Sequence, residues 1–556
     1  MSPLELGPWV DVLALALCIT FLGYVLAILL PFMRQEPTAP GDPGTMEWHL
    51  LVPCLDEEAV VHRTVTRLRQ MHPTAHVWAI DDDSGDSTLA ILEGLAEADP
   101  LVHVILRTAP EARLGKGAAL NAGWREVRRY LRSAHGPAYR RLRERVIVGV
   151  IDADGVLAPD AFVALSGPSM FGDPAVGAAQ VQVRMVNRGV DGRIDASDPA
   201  PAARLRRLLV TLQDLEFRTV IAAMQHLRHT IGSVGMGGNG QFTRLSVLDE
   251  IAQDHGTPWH GALLEDFELG LHVLLTGRRN EYCNDVWVAQ EGLPSIRSLV
   301  RQRTRWAQGG MQCLRYLGTV LRSRRITTPA ALEICYFLLI PWTQLVGSVV
   351  YTAAWAFVLS YALSSTGGVA GWFAGGAWGL IPLILVFGIG PLALWGPVYR
   401  LKAEPGTGRV QALLLGLAYW LYSYLMIISV WRALVRMARS RSDWVKTARV
   451  YQGFRAGTLP SQYQSQPTSA GVPARKPAAP LTHLTKERHD HPENQIHRAT
   501  PGAGHDRRRR GVRAGRHWRH GFALRDAGQR DGSLPQRPGP RARGRHRDRG
   551  RRERRE

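Results

Sequence analysis

The sequence predicts an α/β domain, with a mostly parallel sheet and flanking helices, that is joined to transmembrane α-helices. Two observations lead to this prediction. Between residues 47 and 320, short apolar runs alternate with helix-like stretches, which is the pattern of a parallel sheet covered by helices. On either side of that region lie apolar stretches of about 20 residues or more, which is long enough to cross a bilayer.

The first apolar stretch, Trp9–Met33, is interrupted by Asp11 near its start. It is longer than the core of a signal peptide and no basic residue precedes it, so we expect a transmembrane helix over residues 9–33. Arg34 follows directly, and cytosolic flanks carry the excess of Lys and Arg. The positive-inside rule therefore places residues 1–8 outside the membrane and the chain from Arg34 onward in the cytosol.

The α/β region, residues 47–320, is expected to be the cytosolic domain. Its strand-like runs are Trp48–Val52, His76–Ile80, Val102–Leu106 and Val146–Ile151, and the helix-like stretches are Ala59–Gln70, Thr88–Glu97 and Ala118–Ser133. Ligands of such sheets bind at the carboxyl ends of the strands. Asp81–Asp83 and Asp152–Asp154 follow two of these runs and therefore fall at that edge of the sheet.

Three further apolar stretches, roughly 334–362, 372–397 and 411–433, predict a membrane region over residues 334–433 with about three helices. The linker Ser364–Gly368 has no charge, whereas Tyr399–Arg409 is basic, so the first linker is expected outside and the second inside. A last crossing would put the basic segment Arg432–Arg449 outside, against the rule. Either one apolar stretch lies in the membrane interface, or the C-terminal segment breaks the rule.

The C-terminal part divides into a basic juxtamembrane segment, 434–459, and an Arg-rich tail, 460–556, which we expect to be disordered for lack of a hydrophobic pattern. The formal net charge is +20, and the stretch Arg498–Glu556 carries 20 Arg against 6 acidic residues. Because most of the charge lies there, nucleic-acid binding is not expected of the domain and stays a minor alternative. A tract at His489–His497 could bind metal, but a solvated tail explains it more simply.

Five cysteines, Cys18, Cys54, Cys283, Cys313 and Cys335, are widely spaced and form no CxxC pair. They therefore indicate neither a disulfide framework nor a zinc site.

Two aspartate clusters follow predicted strands. Asp81-Asp82-Asp83 precedes a Ser-Gly-Asp-Ser-Thr segment, and adjacent carboxylates repel each other unless a metal or hydrogen-bond donors compensate them. A turn with a helix cap is the structural alternative, for which one Asp would suffice. Asp152 and Asp154 are two apart in an extended segment, so both side chains point the same way and can face one hard cation.

Two further clusters follow. Glu265-Asp266 opens a predicted helix, where acidic residues are also common for reasons of the helix dipole. Gln302, Arg305 and Trp306 form a QxxRW pattern beside the membrane region, where a basic interfacial helix is the structural alternative.

Two glycine patterns are set aside. Gly235–Gly240 fits GxGxxG, but it does not open a first strand–helix unit, so we interpret it as a flexible loop lining the site. Gly115-Lys116-Gly117 lacks the rest of a phosphate-binding loop.

Taken together and in order, these clusters resemble glycosyltransferase family 2, in the membrane-embedded processive branch of cellulose, hyaluronan and poly-N-acetylglucosamine synthases. The family's opening P-x-x-N-E-E is similar to Pro53–Glu58, with Asp56 in place of Asn. Its G-K-x-x-A-L-N segment resembles Gly115–Asn121, and its T-E-D motif resembles Leu264–Asp266, with Leu in place of Thr. The resemblance covers about residues 47–320 and implies a GT-A-type nucleotide-sugar-binding domain.

The resemblance also implies roles for the matching residues. Donor-nucleotide binding is implied for Pro53, Glu57, Asp81, Asp82, Lys116 and Asp152. Asp154, with Asp152, would bind Mg²⁺ or Mn²⁺; Asp266, beside Glu265, would be the catalytic base; and Gln302, Arg305 and Trp306 would contact diphosphate and acceptor.

The function implied is metal-dependent, inverting transfer of a hexose or N-acetylhexosamine from a nucleotide-diphosphate sugar at the cytosolic face of a multi-pass membrane protein, and the donor is expected to be UDP-linked. A growing polysaccharide is the expected acceptor, and single transfer to a lipid is the alternative. Membrane lipids are expected partners, and an accessory subunit is compatible with the sequence.

Overall fold

The computed structural model describes residues 3–188 and 200–439. Eight strands form one mixed sheet: β1 (Glu47–Cys54), β2 (His76–Asp82), β3 (Val102–Arg107), β4 (Val146–Val150), β5 (Val156–Leu157), β6 (Val176–Met185), β7 (Gln241–Arg244) and β8 (Arg279–Gln290). The strand order across the sheet is β3-β2-β1-β4-β7-β6-β8-β5.

The four strands that the sequence predicts form the first half of the sheet. β3, β2, β1 and β4 pair in parallel, as expected for strands separated by helices. The second half departs from the expected parallel pattern: β7 is antiparallel to both β4 and β6, and β5 is antiparallel to β8, while β6 and β8 are parallel. The sheet is therefore mixed, and the α/β fold class is confirmed.

Helices cover the sheet and connect it to the membrane region. Those of the α/β region are α2 (Val61–Met71), α3 (Thr88–Ala98), α4 (Lys116–His135), α5 (Tyr139–Leu142), α6 (Ala161–Leu165), α7 (Ala200–Leu215), α8 (Ala222–Ile231), α9 (Leu245–His255), α10 (Glu265–Thr276), α11 (Ile296–Cys313) and α12 (Leu317–Arg322). A π-helical turn, Glu216–Ile221, joins α7 to α8.

Among the described residues, four helical segments are long and apolar enough to cross a membrane: Pro8–Met33, Thr328–Ser364, Ala377–Lys402 and Arg409–Ala438. The first lies within α1 (Pro3–Met33), the second is α13 (Thr328–Ser364), and the fourth is α18 (Arg409–Ala438). The third is broken into short pieces; these pieces and the helix before them are α14 (Gly368–Ala374), α15 (Leu380–Leu383), α16 (Gly390–Ala393) and α17 (Trp395–Lys402). The predicted juxtamembrane segment beyond residue 439 and the tail, with His489–His497, lie outside the described residues.

Both faces of the sheet are packed. One apolar cluster joins β1 and β2 to α2 and α6 and includes Trp48, whose ring stacks on that of Phe162 with centroids 4.1 Å apart. A second cluster lies under α4 and α9 and includes Leu51, Ile80 and Trp124. Burial on both faces explains why these strands are continuous apolar runs without alternation. It also fixes the carboxyl ends of β1, β2 and β4 at one edge.

Buried ion pairs attach the α/β region to the membrane helices. Arg228 of α8 donates through Nε to Glu333 of α13 at 2.8 Å, and the Ser233 hydroxyl donates to the other oxygen of Glu333 at 2.9 Å. Removing one partner of such a pair leaves an uncompensated buried charge, which is strongly destabilising. The start of α13 is therefore held to the wall of the α/β region.

Three histidines stack across adjacent strands of the sheet. His49 and His76 have ring centroids 4.7 Å apart, and His76 Nδ1 lies 3.0 Å from His103 Nε2. Trp78 Nε1 donates to His49 Nδ1 at 3.0 Å. Burial lowers the pKa of His76 to about 4, and it also lowers the pKa values of His49 and His103. The fold therefore holds these imidazoles neutral.

This stack predicts acid sensitivity of the fold. The unfolded chain protonates His76 below about pH 6.5 and the folded chain below about pH 4, so stability is full above 6.5 and falls as the pH drops toward 4. We expect a loss of the order of 1–3 kcal/mol, measured as a lower unfolding midpoint of the full chain in detergent. His76→Gln should flatten this dependence, whereas His62→Gln, at an exposed position, should leave it unchanged. An equal slope in His76→Gln would contradict the prediction.

Candidate active site

One cavity of about 600 Å³ collects residues from all four predicted clusters. The predicted site residues that line it are Pro53, Glu57, Asp82, Lys116, Asp152, Asp154, Glu265, Asp266, Gln302, Arg305 and Trp306. Asp81 is not among the lining residues: its side chain is 1% exposed and accepts a hydrogen bond from Ser84 N at 3.2 Å. Asp81 therefore shapes the loop after β2, and Asp82 presents its carboxylate to the cavity.

The backbone is strained around the loop after β2. Asp56, Asp83 and Arg113 have positive φ angles of 51°, 67° and 59°, which side-chain-bearing residues rarely adopt. The three segments hold one another, since Asp56 accepts from Gly85 N at 2.7 Å and Arg113 Nε donates to the Asp83 carbonyl at 3.1 Å. Such strain persists where the surroundings enforce it and clusters at ligand sites. This edge of the cavity is therefore a fixed concave surface.

Asp82 is a buried carboxyl group that forms an ion pair with the guanidinium group of Arg107. Arg107 of β3 donates to its Oδ1, yet burial raises the pKa of Asp82, and the hydrogen bond from Arg113 N together with Arg107 opposes that rise. An ion pair at the cavity wall keeps this carboxylate oriented.

Lys116, the first residue of α4, connects two walls of the cavity. Its ammonium donates to Asp152 Oδ1 at 2.5 Å and to the Gly238 carbonyl at 2.5 Å. Burial alone would lower its pKa, but the negative charges of Asp152, Glu265 and Asp266 outweigh burial and raise the pKa. Lys116 therefore stays protonated and holds a positive charge beside three carboxylates.

Asp152 and Asp154 offer the oxygen donors that a hard divalent cation prefers. Both line the cavity directly after β4, and Asp154 is 3% exposed with its Oδ2 accepting from Glu291 N at 3.2 Å. Buried carboxylates need compensating positive charge, and Mg²⁺ or Mn²⁺ supplies it through oxygen ligands. The donor set fits such an ion.

The glycine-rich segment Gly235–Gly240 forms a wall of the cavity, as expected, and hydrogen bonds hold it in place. Gln225 bonds Gly235 through both ends of its amide, and Gln180 accepts from Gly237 N at 2.8 Å and donates to the Asn239 carbonyl at 2.9 Å. Asn239 in turn accepts from Asp152 N at 3.1 Å. These glutamines position the wall, and the sequence offered no signal to find them.

The acidic pair Glu265–Asp266 opens α10 and faces the cavity. Burial raises the pKa of Asp266, and the hydrogen bond of 2.7 Å from Phe267 N to its Oδ1 opposes that rise. Burial, reinforced by Asp266, raises the pKa of Glu265 to about 7. Desolvated carboxylates with raised pKa values are proton acceptors suited to neutral pH. The pair can therefore serve acid–base chemistry.

Helix α11 brings the QxxRW residues to the same cavity. The charge of Arg305 faces Glu265, Asp152 and Asp266. Trp306 lies edge-on to Phe217, with centroids 6.2 Å apart.

Arg303 is a residue of this motif that sequence reasoning missed. Its side chain is 4% exposed, donates to Glu216 at 2.5 Å, and lies 4.2 Å from the ring of Trp306. Arg303 therefore positions Trp306 through a buried ion pair.

The cavity continues beyond the acidic residues into an apolar portion that the sequence did not predict. Its walls come from the π-turn and α8, with Phe217 and Met224, and from α13, with Phe337, Ile340 and Pro341. The same cavity is thus lined both by carboxylates and cations and by side chains of a membrane-type helix.

A set of potential metal ligands, His260, Glu268 and His272, lies outside the cavity, and its carboxylate is already hydrogen-bonded. Their ligand atoms lie within 4.8 Å of one another. However, Glu268 accepts hydrogen bonds from the Arg315 guanidinium and from the Tyr316 hydroxyl, and the cation of Arg315 would oppose a metal ion. The set anchors α10 against the segment after α11.

Gly238 is a position where the approach of the backbone to the acidic pair requires glycine. A Cβ atom there would lie 3.1 Å from Asp266 Oδ2 and 3.3 Å from Lys116 Nζ. We expect Gly238→Ala to lower turnover by about 10- to 100-fold, since a small displacement of reacting groups is costly. Gly261→Ala is the control, because a Cβ there meets no atom within 4 Å. Equal turnover in the two variants would show that Gly238 is not close to the reacting atoms.

Residues 46–309 match the family described as glycosyltransferase like family 2, so this part of the chain is a glycosyltransferase family 2 domain. Its mixed sheet with flanking helices is a GT-A-like fold, as the resemblance implied.

Two proteins that this chain is similar to are named as synthases of a glycolipid. The chain is 29% identical over 292 residues to beta-monoglucosyldiacylglycerol synthase of Synechocystis sp., covering 51% of this chain and 52% of that protein. It is 28% identical over 328 residues to the synthase of the same name from Trichormus variabilis, covering 58% and 61%. The matched part thus spans only about half to three-fifths of these relatives.

Among solved structures, a mannosyltransferase of Pyrobaculum calidifontis in complex with GDP-Man and Mn²⁺ shares 20% identity at a TM-score of 0.41, covering 74% of this chain and 99% of that one.

Proposed function

We propose that this chain transfers a sugar from a UDP-linked donor to the free hydroxyl of a membrane lipid, giving a single β-linked glycolipid. The observation that carries the proposal is the continuity of the cavity. Asp266 and Lys116 line it together with Phe337, Ile340 and Pro341 of α13. An acceptor with a polar hydroxyl and apolar chains fits this combination of polar and apolar walls, because apolar surface is buried against apolar surface.

Diacylglycerol is the acceptor that we propose, with glucose as the sugar. The names of the two relatives support this choice, and they favour a lipid over the growing polysaccharide that the processive branch implies. The aliphatic part of the wall also supports it, since Met224 and Ile340 offer no hydrogen bonds to a chain of sugars. A polysaccharide remains an outcome that the product analysis would detect.

The donor would bind against the polar residues that line the cavity. The nucleoside would lie against Pro53, Glu57 and Asp82, on the surface fixed by the strained loops. Asp154, with Asp152, would hold Mg²⁺ or Mn²⁺, which when bound neutralises the negative charge of the diphosphate. Lys116 would add a fixed positive charge beside the same oxygens.

The reaction would be a single displacement. Asp266 takes the proton of the acceptor hydroxyl, whose oxygen then bonds the anomeric carbon as the bond from that carbon to the diphosphate oxygen breaks. Arg305, whose charge faces this group of acids, stabilises the departing diphosphate. Attack opposite the leaving group inverts configuration, so an α-linked donor gives a β-linked product. Trp306, held by Arg303, would pack against the sugar.

A substitution in the apolar wall that α13 contributes to the cavity tests the lipid acceptor. Ile340→Asn places an amide in the wall of the cavity, and we expect the KM for diacylglycerol in mixed micelles to rise about tenfold while UDP binding is unchanged. Leu339→Asn is the matched control, since Leu339 is the neighbouring residue of α13 but is 37% exposed and does not line the cavity. An unchanged KM in Ile340→Asn, or an equal rise in both variants, would contradict the lipid site.

The proposed function also requires the catalytic domain to lie where its donor is available. We propose a multi-pass membrane protein with the domain on the cytosolic side, where nucleotide sugars are made. Arg34, directly after α1, supports this orientation.

A further inference from the structure

We propose that α18 lies in the membrane interface, along the catalytic domain, and does not cross the bilayer. Residues near both of its ends bond the same domain. Glu404, just before α18, accepts hydrogen bonds from Arg188 at 2.7 Å and Arg218 at 2.5 Å. Near the other end, Arg436 Nε donates to Gln308 of α11 at 2.9 Å. A crossing helix would place its two ends on opposite sides of hydrocarbon about 30 Å thick.

The middle of α18 also contacts the domain. The Tyr422 hydroxyl donates to Glu216 at 2.9 Å and accepts from Arg303 at 3.3 Å, while Val430 and Ala433 are buried with Met311 of α11. Contacts therefore follow α11 from its first half to its last turn.

Helix α11 cannot itself lie inside hydrocarbon. It carries four arginines within 18 residues and lines the catalytic cavity. A helix that runs beside α11 over this length must lie at the depth of the domain surface.

Helix α13 shows the contrasting course of a crossing helix. It leaves the domain at Glu333, meets α18 around Leu345 and Ser348, and continues to Ser364. From Leu345 to Ser364 it extends roughly 30 Å at 1.5 Å per residue, which is the thickness of the hydrocarbon. The Trp431 indole donates to the Ser348 hydroxyl at 3.0 Å, so the two helices meet where α13 would enter the bilayer.

The two faces of α18 have different surroundings. Ala412, Leu415, Tyr419, Tyr422 and Ser429 are buried against the protein. Every seventh residue of the opposite face is apolar and exposed, namely Leu414, Leu421, Ile428 and Val435. Lipid chains of the leaflet on the domain's side would cover this line, and the exposed Arg432 would meet anionic head groups.

This position removes the conflict in the charge pattern. With α18 in the interface, three of the four candidate segments within residues 3–188 and 200–439 cross, and Arg432, Arg436 and Arg439 fall on the same side as the catalytic domain.

The test is a depth profile in the full chain, with the five native cysteines replaced by alanine. Single nitroxide labels at Leu414, Leu421, Ile428 and Val435 in vesicles of anionic phospholipid should all report the same shallow depth in oxygen and nickel-chelate accessibility. The matched control is α13, where labels at Val349, Trp355, Leu359 and Leu363 should pass through a maximum of depth. A maximum at Leu421 and Ile428, with shallow ends, would overturn the proposal.

A second measurement needs no labels within α18. An epitope tag after Glu556 should be protease-accessible on the same side of sealed vesicles as the catalytic domain. A tag on the opposite side would overturn the proposal, whatever the transfer activity of the preparation.

Discussion

Asp266→Asn should abolish sugar transfer while nucleotide binding survives. The amide cannot accept the acceptor's proton, but it keeps an oxygen for the hydrogen bond that Asp266 receives from Phe267 N. Loss of a general base costs about 10²- to 10⁴-fold, and we expect at least 10³-fold here because the half-buried carboxyl lies among charged groups. Turnover is measured by UDP release and the Kd for UDP by calorimetry in the presence of Mn²⁺.

The control for this variant is Asp254→Asn, at an exposed position of α9. It makes the same chemical change outside the cavity and should retain full turnover. If Asp266→Asn lost UDP binding, or kept turnover within tenfold, Asp266 would not be the base.

Asp154→Asn should lose metal-dependent UDP binding together with turnover, in contrast to Asp266→Asn, which should lose turnover alone. Asparagine keeps an oxygen for the hydrogen bond from Glu291 N, so the local fold is retained while the charge that holds the cation is removed. We expect about 10³-fold loss of turnover, since the metal's neutralisation of the leaving diphosphate is lost with it. Calorimetry of UDP with and without Mn²⁺ reads out the binding.

Asp160→Asn is the control for this second variant, because Asp160 is exposed and lies six residues further along the chain. It should bind UDP and Mn²⁺ as the unchanged protein does. Retention of Mn²⁺-dependent UDP binding in Asp154→Asn would remove Asp154 from the metal site. Together with Asp266→Asn, the pair separates proton transfer from donor binding.

The elements with strong local patterns were predictable. β1, β2 and β4 are buried on both faces, so their runs are continuous, and the carboxylates after them stand out. The parallel pairing of these strands follows from the helices between them. The antiparallel position of β7 was not predictable, because it depends on pairing between segments far apart in the chain.

The polar part of the site was predictable, and the apolar part was not. Asp152, Asp154 and Asp266 are unusual in their local context, whereas Phe217, Met224 and Ile340 are ordinary apolar residues until packing brings them to one cavity. Arg303 lay within a recognised motif, but its burial against Glu216 depends on the packing of α7 and α11. The resemblance alone led to a polymer as the expected acceptor. The apolar wall of the cavity led to the proposal of a lipid acceptor.

Analysis of the labelled product tests the central proposal most directly. The full chain in membranes is incubated with labelled UDP-glucose, diacylglycerol and Mn²⁺, and the products are extracted and sized. We predict one chloroform-soluble product of one sugar per lipid, cleaved by a β-glucosidase and absent with Asp266→Asn. A ladder of water-soluble chains, or a product formed equally without added or endogenous lipid, would contradict the proposed acceptor.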